Sequence, residues 1–350
     1  MHISLFLPHV GVFGGVRRFI ELGNVWSAAG HTVTLYHPAG EPPAWLRFAG
    51  ATRHLDRAAG APADLALCAD PHTFDVFLTH PAGLHLYYCV IEGDPGIARA
   101  LSRPDVWLAA NSGPLRRALA RRTRRPVLDG IGGINPRQFR PDPAHRADAP
   151  LRVLLNGRRS RPKKGTDLVL RALAGLVGRV PDFEVVLFDS LGPQNRQDPR
   201  EGAPLPANAR FVLDPTQEEL VALYQSAHLF VAAERKAGWC NTALEAMACG
   251  TPVVCTTSGT GDFARDGANA LVARWRQPFA LRPLIARVLR EPGLRARLAA
   301  AGPPTAARWT WEALAAKLLA QLGRPAGTAA GGGPADPPPA TSRDDQRAGR

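Results

Sequence analysis

The chain has 350 residues, 45% of them hydrophobic and 21% charged, with a formal net charge of +13. That length and apolar content suit two ordinary globular domains and exclude a wholly disordered chain, and no apolar run approaches the ~18 residues of a membrane-spanning helix. The charge excess, much of it arginine, favours anionic partners: nucleotides, diphosphates, anionic lipid surfaces or nucleic acid.

The chain starts with MHISLFLPH, a strand-like run without the charged start and long apolar core of a signal peptide; the expectation is a cytoplasmic protein. The five cysteines, Cys68, Cys89, Cys240, Cys249 and Cys255, include no CxxC pair and are expected to be buried free thiols. Residues 3–7 read as a first strand. A loop with Gly11, Gly14 and Gly15 follows, then a helix whose Phe19, Leu22, Val25 and Trp26 recur on one face, then Gly30 and a second strand from His31. This is a βαβ start with a right-handed crossover. Residues 65–68, 74–80, 84–92 and 107–111 read as further strands, 114–122 as a basic helix, and 127 onward as a short strand entering GIGGINPRQFRPD. Residues 141–150 have the Pro, Asp and Ala content of a linker.

The alternation then restarts, with strands at 152–156, 183–189 and 209–213 and helices at 166–177 and 218–226. Residues 230–257, FVAAERKAGWCNTALEAMACGTPVVCTT, read as strand, loop, short helix, tight stop at Gly250 and Pro252, and strand. A last strand falls at 270–273, with helices at 279–289, 293–301 and 308–322. From Pro325 the composition collapses to Pro, Ala and Gly, and disorder is expected. Two successive βα sets predict an α/β protein of two doubly wound, Rossmann-like domains facing a cleft.

Several stretches carry chemistry on either of two readings. A helix beginning at Asn241 or Thr242 after a parallel strand can receive an anion; equally, Thr242-x-x-Glu245 fits a capping box. NGRRSRPKKG, residues 156–165, places Arg158, Lys163 and Lys164 between a strand and a helix, as a diphosphate clamp or a solvated basic loop; it is not a Walker A loop. The Gly14-Gly15 turn lacks GxGxxG spacing and is either a tight turn or a backbone approach for a ligand. His80, read as following a strand into the cleft, is catalytic or structural. No HExxH or clustered ligand set occurs, so no metal is expected. Residues 115–125 hold Arg116, Arg117, Arg121, Arg122, Arg124 and Arg125, as an anionic-membrane helix, a nucleic-acid patch or a solvated face; no aromatic interleaving supports single-strand stacking.

Together these pieces resemble the family-4 retaining glycosyltransferases of the GT-B fold, over most of residues 1–322. The family's GG-x-x-R/E turn matches Gly14-Gly15-Val16-Arg17-Arg18. Its NG-V/I-N/D-x-x-x-F-x-P matches Gly133 to Pro141, and GR-x-x-x-x-KG matches Gly157-Arg158 through Lys164-Gly165 with one extra residue. LEAMACGTPVV stands intact at residues 244–254, and Trp311-Glu312 matches the SWE opening of a last helix. The resemblance implies an N-terminal acceptor domain (1–145), a C-terminal nucleotide-sugar domain (146–305), a helix crossing back (306–322) and a tail (323–350). It implies that Arg158 and Lys164, or Lys163, hold the donor diphosphate and that Glu245 holds the ribose. The backbone at Gly238, Trp239, Asn241 and Thr242 would meet the phosphates, and the acceptor would lie near Gly14, Gly15, Arg17 and His80. The family's first Glu of a Glu-x7-Glu pair falls on Ala237, leaving Glu234 to reach in or the sugar to be held otherwise; Asp262 replaces a usual Glu. The expected activity is transfer of a sugar from a nucleoside-diphosphate sugar, as co-substrate, to a glycan, lipid-linked or small-molecule acceptor. Retention, no metal and no other cofactor are implied, and no nucleic-acid partner is expected. The enzyme would be cytoplasmic or peripheral on the membrane. Ala237 also suits a non-catalytic sugar-nucleotide-binding subunit, and the charge a nucleic-acid-binding protein.

Overall fold

A computed structural model describes residues 1–142, 144, 150–192 and 198–323. Most of the stretch read as a linker and the tail from residue 324 lie outside the described residues.

The first domain alternates strands and helices: β1 (His2–Phe6), α1 (Gly14–Ala28), β2 (Thr32–His37), β3 (Ala51–His54), β4 (Ala63–Cys68), α2 (Phe74–Thr79), β5 (Ala82–Cys89), α3 (Pro95–Leu101), β6 (Val106–Ala110), α4 (Gly113–Ala120) and β7 (Val127–Asp129). Its seven strands are ordered β3-β2-β1-β4-β5-β6-β7, and every pair is parallel. The two-residue period of a strand divides β1 between two cores. Ile3 and Leu5 join Phe19, Ile20 and Leu22 of α1, while Phe6 joins Phe74, Phe77, Leu115 and Leu119.

The second domain comprises β8 (Leu151–Asn156), α5 (Thr166–Ala174), β9 (Phe183–Asp189), β10 (Ala209–Leu213), α6 (Gln217–Ser226), β11 (Leu229–Ala232), α7 (Asn241–Ala248), β12 (Val253–Thr256), β13 (Leu271–Ala273), α8 (Pro278–Arg290) and α9 (Pro292–Ala306). Its parallel sheet is ordered β10-β9-β8-β11-β12-β13. Val153 and Leu155 face α5 and α8, and Leu154 faces α6 and α7. The order reverses between β8 and β11, so their carboxyl ends diverge around a crevice.

The last helix, α10 (Trp311–Leu322), packs against the first domain. Trp311, Leu314, Ala315 and Leu318 share a core with Phe19 and Trp26, and Trp26 Nε1 donates to the Ala315 carbonyl at 3.4 Å. Gly133 has φ +122, and a Cβ there would stand 2.1 Å from the Trp311 ring. Arg18 lies between the Trp311 and Tyr88 rings, 5.2 and 5.3 Å away, and donates to Tyr88 Oη and the Gly132 carbonyl at 2.9 and 2.7 Å. A cation held between two aromatic faces thus fastens the returning helix.

One expected strand is a helix. Residues 74–79 form α2, with Phe74 and Phe77 buried at i and i+3; six residues are too few for a two-residue and a three-to-four-residue period to be told apart. All five cysteines are free and buried. Among the described residues no helix is long and apolar enough to cross a membrane.

Candidate functional site

The crevice between β8 and β11 holds a small pocket lined by Leu155, Asn156, Lys164, Thr166, Glu234 and Thr242, among others. Its walls come from the loop after β8, the loop after β11 and the start of α7. Gly165 makes this close approach possible: it adopts φ +79, and a Cβ would stand 2.2 Å from the Ala233 carbonyl. Arg276 stitches the same two loops, donating from Nε to the Ala233 carbonyl at 2.7 Å and from Nη2 to that of Pro162 at 2.8 Å. Across the pocket Lys164 Nζ meets Glu234 Oε1 at 2.8 Å. Lys163 stands beside it, its pKa lowered by partial desolvation and then by the cations of Arg161 and Lys164. Lys236 has φ +60, a left-handed conformation uncommon for a side-chain-bearing residue.

Helix α7 begins at Asn241, and no side chain caps it. The capping-box reading of Thr242 and Glu245 is therefore not met. Glu245 is one turn in and buried, its carboxylate accepting from Tyr224 Oη at 2.9 Å with Arg17 Nε at 3.8 Å. Arg17 crosses from the first domain. It also donates to Gln217 Oε1, lies 3.9 Å from Glu21 and stacks over Trp45 and Phe139. One guanidinium thus serves two buried carboxylates, which keep raised pKa values. Desolvation, opposed by Arg17, lifts Glu21 from 4.5 to about 7, and desolvation also raises Glu245.

The domains touch all along this line. The Gly14 carbonyl lies 3.5 Å from Asn241 Nδ2. Asp262 takes the Gly113 N–H on both oxygens, at 3.1 and 3.0 Å, at the start of α4. A Cβ on Gly238 would stand 2.0 Å from the Val90 carbonyl. Trp239 packs between Phe263 and Trp309, with ring centroids at 5.1 and 5.4 Å. Buried polar atoms without a hydrogen bond gather here: Arg17 Nη1, Glu21 Oε1, Asn111 Oδ1, Trp239 Nε1 and Asn241 Oδ1.

Of the residues singled out in the sequence, Lys164, Glu234 and Thr242 meet at the pocket, with Lys163 beside Lys164. Glu245, Asn241, Gly14 and Arg17 meet at the domain contact, where Gly14 and Gly15 open α1. Two expectations need correction. Arg158 does not reach into the pocket as a free clamp: it is buried, with Nε and Nη2 on the Asp189 carboxylate at 2.6 Å each. β8 and β9 run in register from Leu151↔Phe183 to Asn156↔Phe188, so Asp189 emerges beside Arg158 and matches its charge. His80 ends α2 rather than a strand and is buried in the first core. Its Nδ1 donates to the Ala58 carbonyl and its Nε2 accepts from Ser4 Oγ, both at 2.9 Å; burial lowers its pKa. With both ring nitrogens used, it is a structural histidine. In the arginine-rich segment, Arg125 spends its guanidinium on carbonyls, among them Val106 and Ala100 at 2.8 and 3.1 Å, and Arg116 bonds Val127 at 3.0 Å. Arg121, Arg122 and Arg124 stay exposed. Glu21, Tyr224, Gln217 and Asp189 were not foreseen. Only Glu21, four residues after Arg17 on one helix, left a sequence signal. Among the described residues, no three His, Cys, Asp or Glu side chains converge as a metal site.

Two Rossmann-like domains around a cleft, tied by a last helix that returns to the first, define the GT-B fold. Two solved structures share it over 92% of this chain: sucrose-phosphate synthase from Thermosynechococcus elongatus, with TM-score 0.71, 20% identity and 98% of that chain covered, and HepE from Anabaena, solved with UDP and glucose, with TM-score 0.72, 14% identity and 99% covered. Residues 141–304 match the family model for glycosyl transferases group 1. A D-inositol 3-phosphate glycosyltransferase of Corynebacterium urealyticum is 31% identical over 188 residues, 51% of this chain and 44% of that protein. The chain spans about half the length of the curated relatives it matches.

Proposed function

We propose that the protein is a glycosyltransferase that moves a sugar from a nucleoside-diphosphate sugar to a glycan, lipid-linked or small-molecule acceptor. Retention of configuration and independence of metal or other cofactor belong to the same proposal. The observation that carries it is the meeting of Lys164 and the uncapped start of α7 at the switch-point crevice, with Glu245 one turn further along α7 at the domain contact. A diphosphate placed there meets a fixed cation and a helix N-terminus, which offset charge on the leaving group as the glycosidic bond breaks. Lys164 would exchange Glu234 for phosphate oxygen, with Lys163 adding to the field. Glu245 would exchange Arg17 for the ribose hydroxyls, so donor entry requires the domains to part. The acceptor would enter from the first domain beside Gly14 and Gly15. UDP-sugars are the first donors to test, since a structural neighbour was solved with UDP-glucose. The names of the curated relatives make a polyol phosphate a first acceptor. The working compartment proposed is the cytoplasm.

A thermal-shift panel of UDP-, GDP- and ADP-sugars, repeated on Glu245→Ala, tests the site. A shift by one donor, lost in the variant, supports it, and a shift that survives unchanged refutes the placement. Product NMR in EDTA then tests retention and metal independence.

Ala237 favours a second reading, a non-catalytic donor-binding subunit. The position carries no carboxylate, its N–H donates to Ser258 Oγ at 2.9 Å, and the nearest acid, Glu234, is paired with Lys164. Donor binding without hydrolysis or transfer would select that reading.

A further inference from the structure

Among the described residues six large apolar side chains are exposed, and three of them, Val177, Trp275 and Phe279, fall on one side of the second domain at 61%, 56% and 67% exposure. α5 and α8 pack together over Leu168, Val169, Leu281 and Ile285. That leaves Arg171 outward on α5, and Phe279, Pro283, Arg287 and Arg290 outward on α8 at helical spacing. Arg290 Nη2 donates to the Arg179 carbonyl at 2.5 Å, tying the turn that bears Val177 to the end of α8. Arg274 lies over the Trp275 ring at 5.1 Å. The two helices carry Arg171, Arg282, Arg287 and Arg290 against one acid, Asp167, and Asp167 is paired with Arg159. Glu291, just beyond α8, meets Arg287 at 3.3 Å.

We propose that this α5–α8 face, led by Trp275 and Phe279, docks on an anionic phospholipid surface. Two exposed aromatic rings, one of them under Arg274, at the edge of a field of arginines match the layering of a bilayer, with rings at headgroup depth and guanidinium groups on lipid phosphates. A nucleic-acid backbone would use the arginines and leave the rings in water. The exposed arginines in and just after α4 lack an apolar anchor, since Leu115 and Leu119 are buried; this transfers the anionic-surface role from the first domain to the second. Arg276, next to Trp275, holds the carbonyls of the pocket loops, so docking brings the crevice rim to the bilayer. Delivery of a lipid-linked acceptor there rests on the transferase proposal; docking does not.

Co-sedimentation of the full chain with vesicles of equal parts phosphatidylglycerol and phosphatidylcholine, or of phosphatidylcholine alone, tests the proposal. The expected result is salt-sensitive binding to the anionic vesicles only. It should fall about ten-fold in Trp275→Ser/Phe279→Ser and also fall in Arg171→Gln/Arg287→Gln, and it should persist when Arg121, Arg122 and Arg124 are changed to Ser. Thermal melts confirm folding, and the arginine pair serves alone if the aromatic pair melts early. Any of three results overturns the proposal: no anionic-vesicle binding by the native chain, whether or not it self-associates or binds DNA through this face, full binding by both surface variants, or loss only in the Arg121, Arg122 and Arg124 variant.

Discussion

Glu21 gives the sharpest test of the buried charge cluster. It is 6% exposed and shares Arg17 with Glu245. Burial raises it from 4.5 to about 7, so folding takes up a proton. Its favourable contribution is full below pH 4.5 and is lost as pH rises through 7. At about 1.4 kcal/mol per pH unit, that difference in proton affinity is worth about 3 kcal/mol. Glu21→Gln keeps the shape, removes the ionisation and leaves Arg17 to Glu245. The variant should match the native protein most closely near pH 4.5 and gain on it as pH rises, reaching about 3 kcal/mol of extra relative stability by pH 8. Urea unfolding at half-unit steps of pH measures this. A stability difference that stays constant across the range would refute the claim that Glu21 folds with a proton.

Arg158→Ala should cost about 3–5 kcal/mol by leaving Asp189 charged and unpaired in the interior, and Arg158→Met with Asp189→Leu should recover most of it, as a double-mutant cycle in urea would show. Gly165→Ala combines a left-handed φ with a 2.2 Å overlap on Ala233; a loss of about 3 kcal/mol in unfolding experiments, with the donor-induced thermal shift abolished, is expected. Gly238→Ala drives a methyl into the Val90 carbonyl at 2.0 Å and should part the domains, enlarging the radius of gyration in X-ray scattering while each domain keeps its own far-UV signature. Lys164→Ala should raise the donor Kd about 10- to 100-fold in calorimetry.

The segment that matches the group 1 family model is legible because its signals are local. LEAMACGTPVV encodes a helix, its stop and the next strand within a dozen residues, and Gly165 and Gly250 sit where φ is +79 and +71. The alternation of apolar runs likewise announced two βα sets facing a cleft. α2 was misread because FDVFLT is too short to display a period, and His80 was misplaced with it. β3, an edge strand with mostly exposed side chains, offered no apolar signal. α3 did offer a helix-start signal, since Asp94 caps it and Pro95 opens it.

By itself, then, the sequence determined the fold class, the place of the crevice and the residue types around it, because hydrophobic period, glycine and proline act over a few neighbours. What those side chains do with their charge was decided by tertiary structure. Arg158 turns to Asp189 because β8 and β9 lie side by side, and Arg17 and Glu245, 228 positions apart in the chain, meet because the two domains close on each other. Coulombic pairing depends on distance in space, and no local pattern along a chain states which distant carboxylate a guanidinium will find.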